Sequence, residues 1–563
     1  MNHKLLDTKD YIVFFIYFII VSAYGLYVYN RKKTVNAGSK DYFLAEGSLT
    51  WWAIGASLIA SNISAEQMIG MSGSGFKLGL AISAYEWMSA ATLIVVGIFF
   101  MPVYLKNKIF TMPQFLSERY NKKVAMIMAV FWLMLYIVVN LMSILYLGAL
   151  AISGISGISI TFCILALAIF AIFITLGGMK VIGYTDVIQV FFLVLGGLVA
   201  TYIALNLISG GKGITEGFSM LHAGAKDHFH LIFKKDNPNY IDLPGLSVLI
   251  GGMWIANLNY WGCNQYITQR ALGASLPVAR KGLLFAAFLK MLMPLIVVIP
   301  GIAVYYMVKN NVSGIDPNDM LTSTGVQDVN KAYPALLTLL PAGLKGLSFA
   351  ALTAAIVASL AGKANSIATI FTLDIYKKAF NRDASENNLV NTGKVTVVVA
   401  MMLAVLLSLM LGDALMGEGK QGFQYIQEYT GFVSPGIFAM FIYGFFWKKT
   451  TSNAALFATI GGFILSVILK LLPGFVDLSP LYSIGWAVPN PAGIFEIPFL
   501  DRMVIVFAVC SIGMYFISIY DHKKGVVTNG LEIDGKMFKT STSFAIGSFI
   551  IIAMLVALYS VYW

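Results

Sequence analysis

Long apolar segments follow one another along almost the whole chain, and they constrain the fold more than any other feature of the sequence. Read as runs of about 18–25 apolar residues, they predict about fourteen transmembrane helices. The 563 residues are 58% hydrophobic and only 12% charged. A soluble protein could not cover so much apolar surface, whereas a bilayer accepts apolar side chains on the outside. The sequence therefore predicts an all-α polytopic membrane protein.

Positive residues flank the predicted helices and indicate their orientation. The first helix, from about Tyr11 to Tyr29, is followed by Arg31, Lys32 and Lys33 and lacks a small-residue cleavage site. We therefore expect an anchor helix rather than a signal peptide. The positive-inside rule then predicts that both termini lie outside. The net charge of +11 is spread over many short loops, which favours membrane topology over nucleic-acid binding.

Two apolar segments are interrupted by polar residues at comparable places. The segment that starts at Trp51 is interrupted around Asn62, and the segment over residues 246–267 is interrupted around Asn257. Helix propensity falls at such Asn and Ser clusters. Paired breaks are typical of inverted-repeat transporters, in which the unwound backbone binds substrate and ion. A kinked structural helix is the alternative at each place.

Polar side chains inside predicted membrane helices are costly, so each is a candidate for substrate binding. Together they supply hydrogen-bond donors and acceptors, and Tyr260 adds an aromatic ring, a combination that suits a neutral polyol. Each one alone is also compatible with a polar contact between packed helices. The candidates are Gln67 with Met71 one turn on, Glu86 and Ser89 on one helix face, Asn257, Lys290 and Gln427.

A second group of residues offers the oxygen atoms that an alkali cation requires. Ala355 and Ser359 lie one helical turn apart, so a carbonyl and a hydroxyl can face one point. The carbonyls of Ala60 and Ile63, at the first interruption, can join them. Hard oxygens favour an alkali cation over a transition metal. For Ser359 the alternative is a hydroxyl bonded back to its own helix.

Six motifs resemble the sodium/solute symporter family, and most closely its sodium/galactose and sodium/glucose branch. The resemblance runs almost from end to end. It implies the leucine-transporter-type fold, in which two inverted five-helix repeats have discontinuous first and sixth core helices. The motifs are WWAIGASLIA at 51–60, NISAEQ at 62–67, YEWMSA at 85–90, TDVIQV at 185–190, QYITQR at 265–270 and FQYIQEY at 423–429.

The resemblance also implies how a single transmembrane domain is divided along the chain. Residues 1–45 would form an extra N-terminal helix and loop. Residues 46–210 and 245–446 would be the first and second inverted repeats, and residues 450–563 would be C-terminal helices.

Carried over position by position, the resemblance implies a role for each candidate residue. The sugar contacts would be Gln67, Glu86, Ser89, Asn257, Lys290 and Gln427. Tyr260 would be an inner gate beside Trp261, and Met71, Tyr85 and Phe423 would close the outer side. The sodium ligands would be the carbonyls of Ala60, Ile63 and Ala355 and the hydroxyl of Ser359, with Asp186 near the inner exit of the ion.

Two positions depart from the family pattern. Ala358 stands where the family usually has a second hydroxyl residue, and Lys363 stands one turn past Ser359 where an uncharged residue is expected. The ammonium of Lys363 could weaken cation binding or replace the ion through charge or proton exchange. In the alternative, it extends into a water-filled vestibule and leaves the ion alone.

The sequence thus predicts a sodium-coupled symporter that imports a galactose- or glucose-like hexose by alternating access across the inner membrane of a bacterium. Its partners would be the monosaccharide, sodium as a transported ion and membrane lipid, with no nucleic acid. A sodium-independent or proton-coupled sugar carrier is the alternative, because of Ala358 and Lys363, and a sugar sensor is a further one. No nucleophile–base pair, metal cluster or phosphate-binding loop stands out, so we expect no enzyme.

Overall fold

The computed structural model describes residues 6–31, 49–64, 66–321, 325–416 and 421–563. Lys32 and Lys33, and most of the loop predicted at the end of residues 1–45, lie outside the described residues. In the parts described, the regular structure is almost entirely helical, and one short hairpin pairs Val488–Pro489 (β1) with Phe495–Glu496 (β2). The prediction of an all-α membrane fold is confirmed.

The α-helices are numbered in chain order. They are Thr8–Arg31 (α1), Trp51–Asn62 (α2), Ser72–Leu78 (α3), Ala84–Val95 (α4), Met101–Lys106 (α5), Met112–Arg119 (α6), Lys122–Met134 (α7), Met142–Ser156 (α8), Ile160–Leu176 (α9), Gly178–Ile208 (α10), Ile214–Gly224 (α11), Leu246–Ile250 (α12), Gly252–Gly262 (α13), Gln265–Leu272 (α14), Leu276–Lys309 (α15), Ala332–Thr338 (α16), Leu344–Thr369 (α17), Glu386–Met416 (α18), Gly422–Gly431 (α19), Ser434–Phe446 (α20), Ser452–Leu456 (α21), Gly462–Leu471 (α22), Phe499–Lys523 (α23) and Thr542–Val561 (α24).

Several α-helices continue into wider or tighter turns. The π-helical segments are Glu66–Met71, Val96–Phe100, Leu135–Leu141, Ile370–Phe380 and Phe457–Gly461. The 3₁₀ segments are Gly79–Ser83, Lys226–His228, Pro317–Met320, Val329–Lys331, Leu472–Gly474, Ser479–Tyr482 and Gly535–Phe538.

The number of membrane spans differs from the number that the sequence predicts. Among the described residues, 10 helices are long and apolar enough to cross a membrane, or 11 if α19 and α20, bent by 47°, count as one span. The count of fourteen is therefore not confirmed. One reason is the stretch Gln67–Lys106, which counts once with its 40 residues. Forty helical residues extend about 60 Å, twice the hydrocarbon thickness, so this stretch is long enough for two crossings.

Gly79 changes the direction of the chain within that stretch. Its backbone has φ 68° and ψ −148°, a conformation that only glycine adopts readily. A Cβ atom there would also lie 2.3 Å from the carbonyl oxygen of His228. Both observations require glycine at this turn.

The interruption predicted around Asn62 is confirmed. The helix α2 ends at Asn62, and Ile63 is extended, with φ −76° and ψ 99°. The chain resumes as the π-helical segment Glu66–Met71, and Ala65 between them lies outside the described residues.

The position of the second interruption is wrong in the prediction. The helix α13 is continuous through Asn257 and Tyr260, and the chain breaks on either side of it, at Gly251 before α13 and at Cys263 and Asn264 between α13 and α14. Tertiary contacts explain why Asn does not break the helix at these positions. Asn259 donates to Ser434 at 3.1 Å, and Asn257 accepts from Ser89 at 2.7 Å, so both amides are bonded with the backbone in helical form.

The chain forms two compact units that alternate along the sequence. The first contains residues 1–83, 131–229 and 288–425, and the second contains 84–130, 230–287 and 426–563. In the first unit, α17 is the central helix, since all of its residues except Leu344 and Leu347 are buried. In the second unit, Ala439, Ala454, Val506 and Met514 form a core cluster. The division into repeats at 46–210 and 245–446 stays a prediction.

Candidate cation and substrate sites

The C-terminal end of α2 presents backbone oxygen atoms without helical partners. The amide of Ile63 donates to the carbonyl of Ile59 at 2.7 Å and ends the α-helical series. The carbonyls of Ala60 and Ser61, which follow, have no amide one turn ahead within the helix. Because these carbonyls also carry the negative end of the helix dipole, this end of α2 attracts a cation.

Ser359 of α17 lies directly against that end. Its side chain is fully buried, and its hydroxyl donates to the carbonyl of Ser61 at 2.8 Å. The alternative, a hydroxyl bonded back to its own helix, is therefore not what the structure has. A hydroxyl that donates its proton keeps two lone pairs for a cation. Ala355, one turn earlier on α17, is also buried.

The structure thus brings together, within the first unit, the two helices that carry the four predicted sodium ligands. Ala60 and Ile63 lie on either side of the bonded carbonyl of Ser61, and Ala355 lies one turn from Ser359. The donor set consists of hard oxygens, as the sequence predicts. The assignment of these four residues to sodium stays a prediction, which the proposed function takes up below.

Asp186, on a third helix, is hydrogen-bonded to α2 close to the same end. Its carboxylate, 1% exposed on α10, accepts a hydrogen bond of 2.6 Å from the hydroxyl of Ser57. Ser57 lies one helical turn before Ser61. The carboxylate therefore lies next to the helix whose end carries these carbonyls, which suits its predicted place along the path of the ion.

The two positions that depart from the family pattern are both buried in α17. Ala358 is 1% exposed and contributes no hydroxyl, and Lys363 is 3% exposed. Lys363 follows Ser359 by four residues, so it lies on the same face, about 6 Å further along the helix. A positive charge on this face of α17 would raise the electrostatic cost of a cation beside Ser359.

Gln67 and Lys290 are the two predicted sugar contacts in the first unit, and both flank the break in the first core helix. Lys290 is fully buried on α15, and its ammonium donates to the side-chain oxygen of Asn62. Gln67 is 6% exposed and accepts a hydrogen bond of 3.4 Å from Ser64. A cation at the end of α2 is favoured by the helix dipole, which helps to explain a buried lysine at this position.

Ser89 and Asn257 are predicted sugar contacts in the second unit, and the structure joins them. The hydroxyl of Ser89 lies 2.7 Å from the side-chain oxygen of Asn257 and 2.7 Å from the carbonyl of Tyr85. The amide nitrogen of Asn257 is buried and has no hydrogen-bond partner among the residues that the structure describes. An unpaired buried donor is costly, and a ligand hydroxyl would satisfy it. Glu86, three residues before Ser89, is 2% exposed.

The remaining predicted residues of the second unit are Tyr260, Trp261, Tyr85 and Gln427. In the second unit, the rings of Tyr260 and Trp261 meet edge to face at 5.1 Å, and Trp261 is 1% exposed. Tyr85 is buried there, and Gln427 is half-buried.

Met71 and Phe423, predicted to close the outer side, are both buried in the first unit. A Cβ atom on Gly70 would lie 2.9 Å from the Cβ of Phe423. The start of α19 therefore packs tightly against the π-helical segment that carries Gln67 and Met71.

Three contributors to these sites are missed by sequence reasoning. They are Ser57, the carbonyl of Ser61 and the side chain of Asn62, whose partners lie 129, 298 and 228 residues away along the chain. The spacing of Ser57 and Ser61 places them on one face of α2, and that was the available signal.

Comparison with known proteins identifies the family. The model of the sodium:solute symporter family matches residues 42–462. The chain belongs to this family. It is 46% identical to the sodium/glucose cotransporter of Vibrio parahaemolyticus over 98% of each chain. It is 34% identical to the human sodium/myo-inositol cotransporter 2 over 85% of this chain and 72% of that protein.

A solved structure supports the fold. A sodium-coupled sialic acid symporter in a substrate-bound outward-open state matches with a TM-score of 0.74 and 22% identity, over 91% of this chain and 98% of that one. The chain is therefore an integral membrane protein with the fold of this family of symporters.

Proposed function

We propose that the protein is a sodium-coupled symporter that carries a galactose- or glucose-like hexose across the inner membrane of a bacterium by alternating access. The observation that carries this proposal is the contact between the carbonyl end of α2 and the Ser359 hydroxyl, 2.8 Å from Ser61. It joins two helices through oxygen atoms that suit an alkali ion. The relative that is 46% identical over nearly the whole chain is a sodium/glucose cotransporter, which supports the choice of ion and cargo.

We assign sodium to the carbonyls of Ala60, Ile63 and Ala355 and the hydroxyl of Ser359. Two of these carbonyls lie at the end of α2 and the other two ligands lie on α17, so a bound ion would stabilise one relative position of these helices. Loss of the ion removes that stabilisation, and Asp186, bonded to Ser57, would attract the ion as it leaves. The free energy of ion binding would thereby be linked to the position of α2 relative to α17.

We assign recognition of the sugar hydroxyls to the six polar residues that the family resemblance implies. Lys290 and Asn257 would donate, because one is a buried ammonium and the other has a buried amide nitrogen without a partner. Gln67, Glu86, Ser89 and Gln427 would accept or exchange further hydrogen bonds. The ring of Tyr260 would contact the apolar face of the sugar, and Met71, Tyr85, Phe423 and Trp261 would limit access to it.

The sodium-independent and proton-coupled alternatives are not favoured. Ala358 and Lys363 depart from the usual pattern, but the two relatives described above, from Vibrio and human, are sodium cotransporters. The same relatives, both named as cotransporters, support a non-enzymatic role. We also place the N- and C-termini outside, on the charge distribution of the loops.

Uptake of labelled sugar into proteoliposomes tests the proposal. We expect accumulation of labelled galactose or glucose in buffer with an inward sodium gradient, and little uptake when choline replaces sodium. Uptake of equal rate in the two buffers would contradict sodium coupling. Binding of the sugar without accumulation in sealed vesicles would indicate a sensor instead.

A further inference from the structure

A buried carboxylate near the start of α1 binds the first turn of α17. The side chain of Asp10 is fully buried, and its Oδ1 accepts hydrogen bonds from the amides of Gly343 at 2.7 Å and Gly346 at 2.8 Å. Its Oδ2 accepts a third, from the amide of Asp7, at 3.0 Å. All three are hydrogen bonds to a carboxylate, and such bonds are stronger than hydrogen bonds between two neutral groups.

This carboxylate supplies the cap that α17 does not have in its own sequence. The residue before the helix is Gly343, with φ 91°, and glycine has no side chain to bond the free amides of the first turn. A negative charge at a helix N-terminus is also favoured by the helix dipole. The N-terminal cap of α17 is therefore provided by α1.

The two helices touch through their backbones at the same place. A Cβ atom on Gly346 would lie 2.4 Å from the carbonyl oxygen of Asp10. Such an approach leaves no room for any other side chain at position 346. The start of α17 is thus held against α1 in one register, with little freedom to slide.

From Asp10 onward, α1 continues along α17 toward the candidate cation site. The rings of Phe14 and Phe349 lie 5.0 Å apart. Tyr17 and Val21 then form a core cluster with Ala350 and Ala354, and Ala354 directly precedes the predicted ligand Ala355.

The opposite side of α1 contacts α10, the helix of Asp186. The ring of Tyr17 meets that of Phe192 edge to face at 5.2 Å. A Cβ atom on Gly25 would lie in ordinary contact, 3.4 Å from the methyl group of Thr185. Thus α1 contacts two of the helices that carry residues predicted to handle the ion, α17 and α10.

We infer that Asp10 is a positioning residue for cation binding: it fixes α17 lengthwise, so that Ser359 faces the end of α2. This inference rests on the proposed function for the identity of the ion. Ser359 lies about 22 Å along the helix from its start, and a helix transmits displacement along its axis. The bond from Ser359 to the carbonyl of Ser61 is 2.8 Å long, so a displacement of α17 that lengthens it by about 1 Å would break it.

The test compares sodium activation curves of sugar uptake in proteoliposomes for the parent, Asp10→Ala and Asp10→Asn. We expect the half-saturating sodium concentration of Asp10→Ala to rise by about two- to fivefold, the range that one helix cap can transmit. The rate at saturating sodium, per folded molecule, should stay the same. Asp10→Asn retains an acceptor oxygen but not the charge, so its value should fall between those of the parent and Asp10→Ala.

Two further variants separate positioning from simple loss of stability. Lys9→Ala removes an exposed charge at the neighbouring position and should leave the sodium curve unchanged. Gly346→Ala disturbs the same contact from the α17 side and should shift the curve in the same direction as Asp10→Ala. If Asp10→Ala does not fold, the comparison of the parent with Asp10→Asn is the test.

A purely structural role predicts a different result. The variants would then lower the melting temperature and the yield of folded protein, while the sodium curve of the folded fraction matched the parent curve. That outcome would overturn the inference. If the parent itself shows no sodium-dependent uptake, the proposed function fails, and stabilisation of the parent and the Asp10 variants by sodium, measured by thermal unfolding, still tests the role of Asp10.

Discussion

The hydroxyl of Ser359 donates a hydrogen bond of 2.8 Å to the backbone carbonyl of Ser61, across 298 residues of sequence. This bond joins the middle of α17 to the C-terminal end of α2, where the helix stops and its last carbonyls have no helical donors. Any ion that binds these carbonyls also contacts α17. The relationship makes Ser359 the first residue to test.

Replacing Ser359 by Ala should weaken sodium binding. The change removes one oxygen ligand and leaves the Ser61 carbonyl without its donor, a loss of about 1.4 kcal/mol or more, which is about tenfold in affinity. We expect the half-saturating sodium concentration for sugar uptake to rise by about tenfold or more. Thr353→Ala is the matched control, because its hydroxyl bonds back to Phe349 within the same helix. Equal sodium curves for the two variants would refute the assignment of Ser359.

Replacing Lys363 by Met should strengthen sodium binding. Two positive charges about 6 Å apart repel each other by about 3 kcal/mol at an effective dielectric constant near 20. Polar or negative neighbours of the lysine reduce this repulsion. Methionine has a similar length and no charge. We therefore expect the half-saturating sodium concentration to fall several-fold.

The same variant tests whether the ammonium takes the place of the ion. If Lys363 replaces sodium, uptake by the parent should be independent of sodium and uptake by Lys363→Met should depend on it. An identical sodium dependence in parent and variant would show that the lysine has no influence on the ion.

Replacing Lys290 by Met should impair sugar binding more than sodium binding. The variant loses a buried charged donor, whose hydrogen bond to a ligand contributes about 1.5–3 kcal/mol, equivalent to about 10- to 100-fold in sugar affinity. Sugar uptake at low concentration should fall accordingly, while sodium still stabilises the variant against thermal unfolding. Lys281→Met, at an exposed position on the same helix, is the control. Normal uptake by Lys290→Met would remove this residue from the sugar site.

His228, outside the membrane-spanning segments, should make the stability of the protein depend on pH. Its ring is partly buried, stacks on Tyr305 at 3.8 Å and lies 3.1 Å from the carbonyl of Phe76. Burial lowers the pKa of His228 below its ordinary value of 6.5; the Phe76 carbonyl and Asp227 oppose this shift, and Lys309 adds to it. The folded state therefore prefers the neutral ring.

Because the folded state prefers the neutral ring of His228, the stability of the protein should decrease at acidic pH. The stability contributed by neutral His228 is fully present above pH 6.5 and is lost as the pH falls from 6.5 through the lowered pKa, because only the unfolded chain then binds the proton readily. We expect the melting temperature in detergent to decrease over this interval and His228→Gln to reduce the decrease. His230→Gln, at an exposed position, is the control. A pH profile unaffected by His228→Gln would exclude this role.

The sequence predicts the fold and the first interruption well, because both depend on local composition. A membrane helix is apolar over its whole length, and the cluster from Ser61 to Gln67 is polar enough to be visible in that background. The second interruption is a different case. The breaks lie at Gly251 and at Cys263 and Asn264, whereas Asn257 and Asn259 between them are held in helical form by side chains of other helices.

The sequence predicts which residues form the candidate sites, but it does not predict which residues they contact. Polar residues in apolar segments identify Ser359 and Lys290 without any structure, and the family resemblance adds Asp186. Their partners, Ser61, Asn62 and Ser57, are small residues on one short helix, and nothing in their local sequence indicates which distant side chain they contact. The pairing comes from the packing of the helices, which periodicity alone does not specify.

The unbroken course of α13 through Asn257 and Tyr260 has a consequence for release of the cargo. Three residues apart in a rigid helix, the amide and the aromatic ring face the same direction and keep a constant separation. A movement of α13 would carry them as one body. If both hold the sugar, they let go of it in a single step, and no intermediate retains one contact without the other.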